Sequence, residues 1–269
     1  MSAQPLIKAA PVQDLPWYHP VGRELELFEQ CYAAGLPLML KGPTGCGKSR
    51  CVEHMAARLG RPLITVSCHD DTSAADLLGR YLVRGGDTVW LDGPVTRAVR
   101  EGAILYLDEV AEARADVIVV LHPLTDHRRT LYVETHAETL VAPPEFMLVV
   151  SFNPGYQHAL KELKPSTRQR FVGHTMGYPD AETERHIVTG ETGADPKLVK
   201  RLVALGQKLR GLGELGLAEG ASTRLLVDAA RLIQAGFPTR QACYASIVEP
   251  LTDDAEIASA LRDLVDMAM

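Results

Sequence analysis

Short apolar runs alternate with segments of helical spacing from residue 38 to about residue 172. The runs that predict strands lie at 38–40, 63–67, 103–107, 146–151 and 171–172. A strand that is covered by helices on both faces of a parallel sheet is a nearly continuous apolar run, and these runs have that form. The alternation therefore predicts an α/β fold in which a parallel sheet lies between layers of helices.

From residue 180 onward the pattern changes to helical spacing throughout. Apolar residues recur at i, i+3 and i+4 in five segments, which predict helices at 181–190, 195–210, 222–235, 239–249 and 253–267. Breaks such as Gly211-Leu212-Gly213 and Gly236-Phe237-Pro238 separate them. We therefore predict two domains, an α/β domain at 1–180 and a small all-helical domain at 181–269.

Two segments interrupt the α/β pattern with residues that alternate as in strands. Residues 81–91 flank Arg84-Gly85-Gly86-Asp87, and residues 130–141 flank Thr135-His136-Ala137. A glycine-containing turn between two alternating runs predicts a β-hairpin. An irregular surface loop is the alternative for either segment.

Length and charge limit the possible functions. The chain has 269 residues, of which 46% are hydrophobic, enough for a full core. Apolar runs stay well below the roughly 20 residues that span a bilayer, and residues 1–13 do not resemble a secretory signal, so we expect a soluble cytoplasmic protein without a membrane partner. A net charge of −6 disfavours a nucleic-acid partner and favours a protein partner.

The five cysteines are scattered along the chain without paired spacing. Neither a disulfide framework nor a zinc site is indicated by that arrangement. Cys46 falls within the glycine-rich segment at 42–49. Its modification could block that segment, but a small residue that simply fits there is the more economical interpretation.

Residues 42–49 read Gly-Pro-Thr-Gly-Cys-Gly-Lys-Ser, the pattern of a phosphate-binding loop. The glycines let the backbone curl so that successive N–H groups point at phosphate oxygens. Lys48 supplies a positive charge for the β- and γ-phosphates, and Ser49 supplies a hydroxyl for Mg²⁺. The flanking strand and helix are the setting that this loop requires. The pattern predicts ATP or a related triphosphate with Mg²⁺, bound by Gly42, Pro43, Thr44, Gly45, Cys46, Gly47, Lys48 and Ser49.

Polar residues end two of the predicted strands. The strand at 103–107 is followed by Asp108 and Glu109, and the strand at 146–151 is followed closely by Asn153. Beside a phosphate loop, Asp108 can support Mg²⁺, Glu109 can polarise the attacking water, and Asn153 can contact that water or the γ-phosphate. Taken alone, the acids could instead cap a helix, and Asn153-Pro154-Gly155 could be only a turn.

Three arginines are candidates for contact with phosphate. Arg168 and Arg170 stand just before the last predicted strand, and Arg224 stands early in a helix of the second domain. Arginine stabilises the charge that develops in phosphoryl transfer, and a neighbouring subunit can supply it. For Arg168 and Arg170 a solvated face is the ordinary alternative.

Together these residues resemble the AAA+ ATPases. The two predicted hairpins are similar to insertions of the MoxR branch, and six short motifs closely resemble the CbbQ/NirQ/NorQ subfamily. These motifs lie at 41–48, 68–71, 106–109, 165–171, 220–224 and 249–254. The resemblance extends from about residue 18 to the C-terminus.

The resemblance implies a Mg²⁺-dependent ATPase that forms a homo-hexamer and remodels another protein. For the CbbQ type the implied target is rubisco, freed of inhibitory sugar phosphates with a CbbO-like adaptor that carries a von Willebrand factor A domain. This is our first interpretation, and nitric oxide reductase maturation, as for NirQ and NorQ, is the alternative. By the same resemblance Asn153 is the first sensor, Arg224 is the second, and Arg170 is the arginine finger acting in trans, with Arg168 as the rival for that role.

One departure from protein-threading relatives concerns residues 69–80. This stretch lacks an aromatic-centred pore loop between small residues. We therefore expect local pulling or pushing on a partner, not full threading of the partner through the ring. Two other classes stay open at this point: a small-molecule kinase, which shares the phosphate loop, and a DNA motor, for which His127-Arg128-Arg129 is a local basic run.

Overall fold

The computed structural model describes residues 15–154, 163–211 and 219–269. Its first part contains, in chain order, α1 (Glu24–Ala34), β1 (Leu38–Lys41), α2 (Lys48–Arg58), β2 (Leu63–Ser67), α3 (Ala74–Leu78), β3 (Gly79–Arg84), β4 (Asp87–Asp92), α4 (Pro94–Glu101), β5 (Ile104–Asp108), α5 (Ala115–Leu121), β6 (Thr130–Val133), β7 (Glu138–Val141), β8 (Met147–Phe152), α6 (Pro165–Arg168) and β9 (Val172–Thr175). The second part contains α7 (Ala181–Thr192), α8 (Pro196–Arg210), α9 (Thr223–Gln234), α10 (Thr239–Cys243), a π-helical turn (Tyr244–Val248), α11 (Glu249–Leu251) and α12 (Ala255–Ala268).

A parallel sheet with strand order β2-β5-β8-β1-β9 forms the centre of the described first part. Every strand predicted from an apolar run belongs to it, and the α/β prediction is confirmed. In register, Lys41 at the end of β1 pairs with Phe152 of β8, and Ser67 of β2 pairs with Asp108 of β5. The carboxyl ends of these strands therefore meet at one edge of the sheet, where ligands of open α/β sheets collect.

Alternation along the strands divides their side chains between two faces. Leu105 and Leu107 of β5 join the cluster beneath α3, α4 and α5, whereas Ile104 and Tyr106 join the cluster beneath α1 and α2. Successive residues of a strand point to opposite faces, so Tyr106 and Asp108 lie on the same face as the helix that follows the phosphate loop. The face on which a strand residue lies therefore decides whether its side chain can reach Ser49.

Both predicted hairpins are present. β3 pairs antiparallel with β4 across the Gly85-Gly86 turn, and β6 pairs antiparallel with β7. An aromatic contact joins them, because the Trp90 ring stacks on His136 at 4.7 Å between centroids and the Tyr81 hydroxyl lies 3.1 Å from His136 Nδ1. The two insertions therefore form one connected surface feature.

A separate hydrophobic cluster holds the helical part together. It includes Val188 of α7, Leu202 of α8, Leu226 of α9 and Leu261 of α12, all buried. The helical prediction for this region is confirmed, except that the segment predicted as one helix at 239–249 consists of α10, the π-helical turn and α11. The predicted break at 211–213 falls largely outside the described residues, and the domain division at 180 and 181 stays a prediction.

All five cysteines are buried and unpaired, and each of the three hydrophobic clusters contains at least one of them. Burial raises the pKa of all five thiols, to about 11 for Cys68 and Cys243 and to about 12 for Cys51. Among the helices of the described ranges, none is both long and apolar enough to cross a membrane.

Candidate active site

The phosphate loop connects β1 to α2 and has the curled backbone that its sequence predicts. Gly45 and Gly47 adopt φ angles of 71° and 98°, a left-handed conformation that favours glycine. Lys48 begins α2, and its Nζ donates to the carbonyl oxygens of Gly42 at 2.8 Å and Pro43 at 2.9 Å. The lysine is thus held over the loop, where it can meet phosphate oxygens together with the N–H groups of the helix N-terminus.

Cys46 packs inward from this loop. It is buried, and its Sγ would lie 3.0 Å from a Cβ placed on Gly42. Burial raises the pKa of the thiol, which keeps it protonated and weakly reactive. The geometry favours the interpretation of Cys46 as a small residue that fits this position.

Ser49 and Asp108 lie side by side, as predicted for a metal site. Asp108 ends β5, and its Oδ2 accepts a hydrogen bond of 3.2 Å from Ser49 Oγ. The Tyr106 hydroxyl donates to the other oxygen, Oδ1, at 2.7 Å. Burial raises the pKa of Tyr106 far above its ordinary value, so the hydroxyl stays protonated and donates. A hydroxyl and a carboxylate are the oxygen donors that Mg²⁺ prefers, and the residues present fit this ion.

Glu109 follows directly and lines a cavity at the phosphate loop. Its φ angle is 53°, a left-handed conformation that costs free energy for a residue other than glycine. The Glu109 N–H donates to Ser151 Oγ on neighbouring β8 at 3.2 Å, which supports this conformation. Strained backbone is concentrated at functional sites, and here it occurs at an acidic residue that lines the cavity.

Asn153 meets the phosphate loop just beyond the end of β8. Its Nδ2 donates to Thr44 Oγ1 at 3.3 Å and also to the carboxylate of Glu219. Thr44 Oγ1 in turn donates to Glu219 Oε1 at 3.1 Å. The predicted turn at 153–155 reaches beyond Pro154 into residues outside the described ranges. Sequence reasoning missed Glu219, because a lone glutamate in a loop gives no pattern.

Arg224 joins the cavity from the helical part. It is the second residue of α9, and it lines the cavity together with the loop residues. A Cβ placed on Gly45 would lie 3.6 Å from Arg224 Cβ, so the helix N-terminus packs directly on the phosphate loop. The structure thus brings Arg224, which is distant in sequence, to the phosphate loop.

A buried ion pair fixes the start of α9. Glu184 of α7 is 0% exposed, and its two oxygens accept from Arg210 at 2.6 and 2.8 Å. Glu184 Oε1 also accepts from Thr223 Oγ1 at 2.7 Å, one residue before Arg224. The Arg210 guanidinium lies 4.3 Å from the centre of the Tyr178 ring, and the Tyr178 hydroxyl donates to the Thr44 carbonyl at 3.2 Å. Direct contacts therefore lead from the phosphate loop to the helical part.

Arg168 and Arg170 lie outside the cavity at the phosphate loop. Arg168 ends α6, and Arg170 Nη1 is 3.5 Å from Asp126 Oδ2. Among the described residues that line the cavity, neither arginine occurs. Arg170 Nε is buried without a hydrogen-bond partner among the described atoms. The structure does not bring this pair to the phosphate loop of its own chain.

The basic run at 127–129 is partly structural. Arg129 donates to the carbonyl oxygens of Gly35, Pro143 and Phe146, at distances of 2.5, 3.2 and 2.7 Å. Burial lowers its pKa. Arg128 pairs instead with Asp126 at 2.6 Å. Arg129 is thus engaged in joining α1 to the segment before β8.

The cavity at the phosphate loop has a volume of about 490 Å³ and includes residues that the sequence analysis missed. Its lining also includes Trp17, Tyr18, His19, Pro179 and Ile187. Glu24 holds the segment before α1 in place, accepting from the Tyr18 hydroxyl at 2.8 Å and from the Val21 N–H at 2.6 Å. Burial alone would raise the pKa of Glu24, but these hydrogen bonds lower it. Trp17, Tyr18, His19, Pro179 and Ile187 are aromatic or apolar, which suits contact with a flat ring.

Glu191 links the two sides of the cavity. It lies on α7, and its carboxylate is 3.4 Å from Arg50 of α2 and 3.1 Å from Arg231 of α9. All three residues line the cavity. No local motif marks them, because they are distributed over three helices.

Comparisons with known proteins agree with this geometry. The model of the AAA domain (dynein-related subfamily) matches residues 37–171, which contain the phosphate loop and the acid pair. The structure of NtrX from Brucella abortus, solved in complex with ADP, has the same fold, with a TM-score of 0.60, 15% identity, and coverage of 91% of this chain and 60% of that one. The protein is an AAA+ ATPase, an enzyme that binds and hydrolyses ATP.

Its relatives define the family within this class. The model of the CbbQ/NirQ/NorQ C-terminal region matches residues 184–268. NorQ of Paracoccus denitrificans is 60% identical over 93% of both chains, and the denitrification regulatory protein NirQ of Pseudomonas aeruginosa is 58% identical over 94% of this chain and 97% of its own. CbbQ of Hydrogenophilus thermoluteolus is 53% identical over 93% of this chain and 94% of its own. The chain belongs to the CbbQ/NirQ/NorQ family. This membership rules out the alternative interpretation as a small-molecule kinase.

Proposed function

We propose that this chain is the Mg²⁺-dependent motor of a complex that remodels a partner protein. One observation carries the proposal. The phosphate loop, the acid pair and Arg224 line a single cavity between the α/β part and the helical part. Hydrolysis in such a cavity changes what both parts contact, so chemistry is converted into relative movement.

The phosphate side of the cavity supplies the chemistry. Lys48 and the loop N–H groups would bind the phosphates, and Ser49 and Asp108 would hold Mg²⁺, which neutralises charge on the phosphates when bound. Glu109 would accept the proton of the attacking water. Asn153 would orient that water or the γ-phosphate, and Arg224 would detect the phosphates from the helical part. The aromatic and apolar lining residues, Trp17 among them, would receive the nucleobase.

A ring assembly would complete this site. Arg170 lies away from the cavity of its own chain, and its guanidinium is only partly occupied by Asp126. A neighbouring subunit of a homo-hexamer could place it at the γ-phosphate, where a cation stabilises the transition state. Arg168 is the rival for the same role.

Mixing two inactive variants tests this assignment. Arg170→Ala subunits retain Glu109, and Glu109→Gln subunits retain Arg170. If the arginine acts in trans, a 1:1 mixture should recover up to roughly a quarter of wild-type turnover, the share of interfaces that combine both intact groups. Arg168→Ala in place of Arg170→Ala tests the rival arginine, and it should retain turnover on its own if Arg170 is the finger. Steady-state ATP hydrolysis measures the rescue, and a mixture no more active than its components would exclude the trans role.

Two targets compete. The motif resemblance favours a rubisco activase motor working with a von Willebrand factor A adaptor, and nitric oxide reductase maturation is the alternative. Identities of 60% to NorQ and 58% to NirQ, against 53% to CbbQ, support the alternative at least equally. The contacts of the described nucleotide site do not distinguish the two targets.

Recovery of the target enzyme's activity in the presence of ATP distinguishes the two candidate targets. The purified chain would be incubated with ATP and inhibited rubisco, with and without a von Willebrand factor A adaptor, and in parallel with immature nitric oxide reductase and its corresponding adaptor. Recovery of carboxylase activity would support the rubisco role, and recovery of nitric oxide reduction would support the maturation role. Glu109→Gln protein is the control in both arms. Failure of both targets despite ATP hydrolysis would overturn the remodelling proposal.

A further inference from the structure

Two buried hydroxyls stand directly behind the acid pair. Tyr106 is 1% exposed and Ser151 is 0% exposed. The Tyr106 hydroxyl lies 2.7 Å from Asp108 Oδ1, 3.2 Å from Ser49 Oγ and 3.1 Å from Ser151 Oγ. Ser151 Oγ donates to the same Asp108 oxygen at 2.5 Å. A single carboxylate therefore receives hydrogen bonds from three hydroxyls, one of them Ser49.

The strand geometry shows why these positions hold polar side chains. Tyr106 stands two residues before Asp108 on β5, and Ser151 stands on adjacent β8, so all three share the face that meets α2. Leucine or valine would fill such interior positions without any need for a partner. A buried hydroxyl is costly unless it is hydrogen-bonded, so its presence here indicates that the hydrogen bonds have a use.

The two oxygens of the Asp108 carboxylate have different hydrogen-bond partners. Oδ1 is engaged by Tyr106 and Ser151, whereas Oδ2 is shared with Ser49. Two donors on one oxygen fix the rotation of the carboxylate about its side-chain bond. Groups that fix ligand orientation in this way are a regular part of metal sites.

Building on the proposed function, we propose that Tyr106 and Ser151 are positioning residues for the divalent cation held by Ser49 and Asp108. Tyr106 acts directly only on the metal side, because its hydroxyl contacts Asp108 and Ser49 and reaches Glu109 only through Ser151. Ser151 acts on both acids, because its Oγ also accepts from the N–H of Glu109. Its loss therefore releases the left-handed backbone that aims Glu109.

Metal binding and turnover separate the two roles. Tyr106→Phe keeps the ring and removes one hydroxyl, and we expect it to weaken Mn²⁺ binding by about 10–100-fold in the presence of a non-hydrolysable ATP analogue, measured by electron paramagnetic resonance of free Mn²⁺. Affinity for the analogue in EDTA should not change. Saturating Mg²⁺ should restore most of the kcat of Tyr106→Phe, whereas Ser151→Ala should weaken Mn²⁺ binding and also lower kcat at saturating Mg²⁺.

Controls make the outcome decisive. Tyr32→Phe removes a hydroxyl from a buried tyrosine of the same hydrophobic cluster, away from the acids, and should leave Mn²⁺ binding unchanged. Ser49→Ala tests the metal site itself. If wild-type protein shows no analogue-dependent Mn²⁺ binding, the proposed function fails. If Ser49→Ala loses Mn²⁺ but Tyr106→Phe and Ser151→Ala bind it within about twofold of wild type, only the positioning role is overturned.

Discussion

Glu109→Gln is expected to slow ATP hydrolysis by roughly 10²–10⁴-fold, the range typical for loss of a general base. Glutamine has the shape of glutamate but cannot accept the proton of the attacking water. The backbone at this position should stay in place, since its N–H bond to Ser151 does not depend on the side chain. Affinity for ATP should therefore change by no more than about twofold, because Lys48 and the loop are intact.

Single-turnover hydrolysis and equilibrium binding of a fluorescent ATP analogue measure the two quantities separately. Glu112→Gln is the matched control, because Glu112 ends the short 3₁₀ helix that follows Glu109 and is not among the residues that line the cavity. Turnover of Glu109→Gln within tenfold of wild type would show that another group activates the water. Lost ATP binding would instead indicate that Glu109 supports the loop.

Glu184→Gln is expected to destabilise the helical part by about 3–5 kcal/mol, the usual effect of breaking a buried ion pair from one side. The variant keeps the volume of the side chain but leaves the Arg210 cation, which is 12% exposed, without its counter-charge. Arg210 cannot release a proton to escape this cost, because the guanidinium stays charged in proteins. The hydrogen bond that Thr223 donates to Glu184 should also weaken.

Urea unfolding followed by circular dichroism measures this loss as a fall in the free energy of unfolding. Glu182→Gln is the matched control, since Glu182 is exposed on the same helix and should change stability by less than about 0.5 kcal/mol. A double replacement of Glu184 and Arg210 by methionine should recover much of the loss, because the unpaired charge is then removed. A Glu184→Gln variant as stable as the control would show that the pair contributes little.

The fold was predictable because local pattern and tertiary structure agree along most of the chain. Apolar runs between glycines and prolines marked the sheet, and Arg84-Gly85-Gly86-Asp87 marked a hairpin. The segment at 239–249 was the exception. Its apolar spacing predicted one helix, but a π-helical turn at Tyr244–Val248 separates α10 from α11. A shift in hydrogen-bond register of this kind leaves the hydrophobic spacing almost unaltered, so spacing alone does not reveal it.

The site was predictable only where one short segment carries the chemistry. Residues 42–49 and the acid pair are such segments. Glu184 looks like an ordinary surface residue of a helix, and its burial depends on Arg210 and Thr223 from two other helices. Tyr106 looked like one more apolar strand residue, and the use of its hydroxyl follows from Ser151 on the adjacent strand. Pairing across elements decides these roles, and a single sequence does not display it.

The burial of every cysteine gives the molecule a set of internal reporters. Thiol reagents react with the exposed thiolate, so each cysteine can be labelled only when its surroundings open. Cys243 lies in the helical cluster, Cys46 and Cys51 in the cluster behind the phosphate loop, and Cys68 in the cluster on the opposite face of the sheet. The labelling rate of each thiol, followed by mass spectrometry through the ATPase cycle, therefore measures separately how often each layer of the wild-type ATPase opens locally.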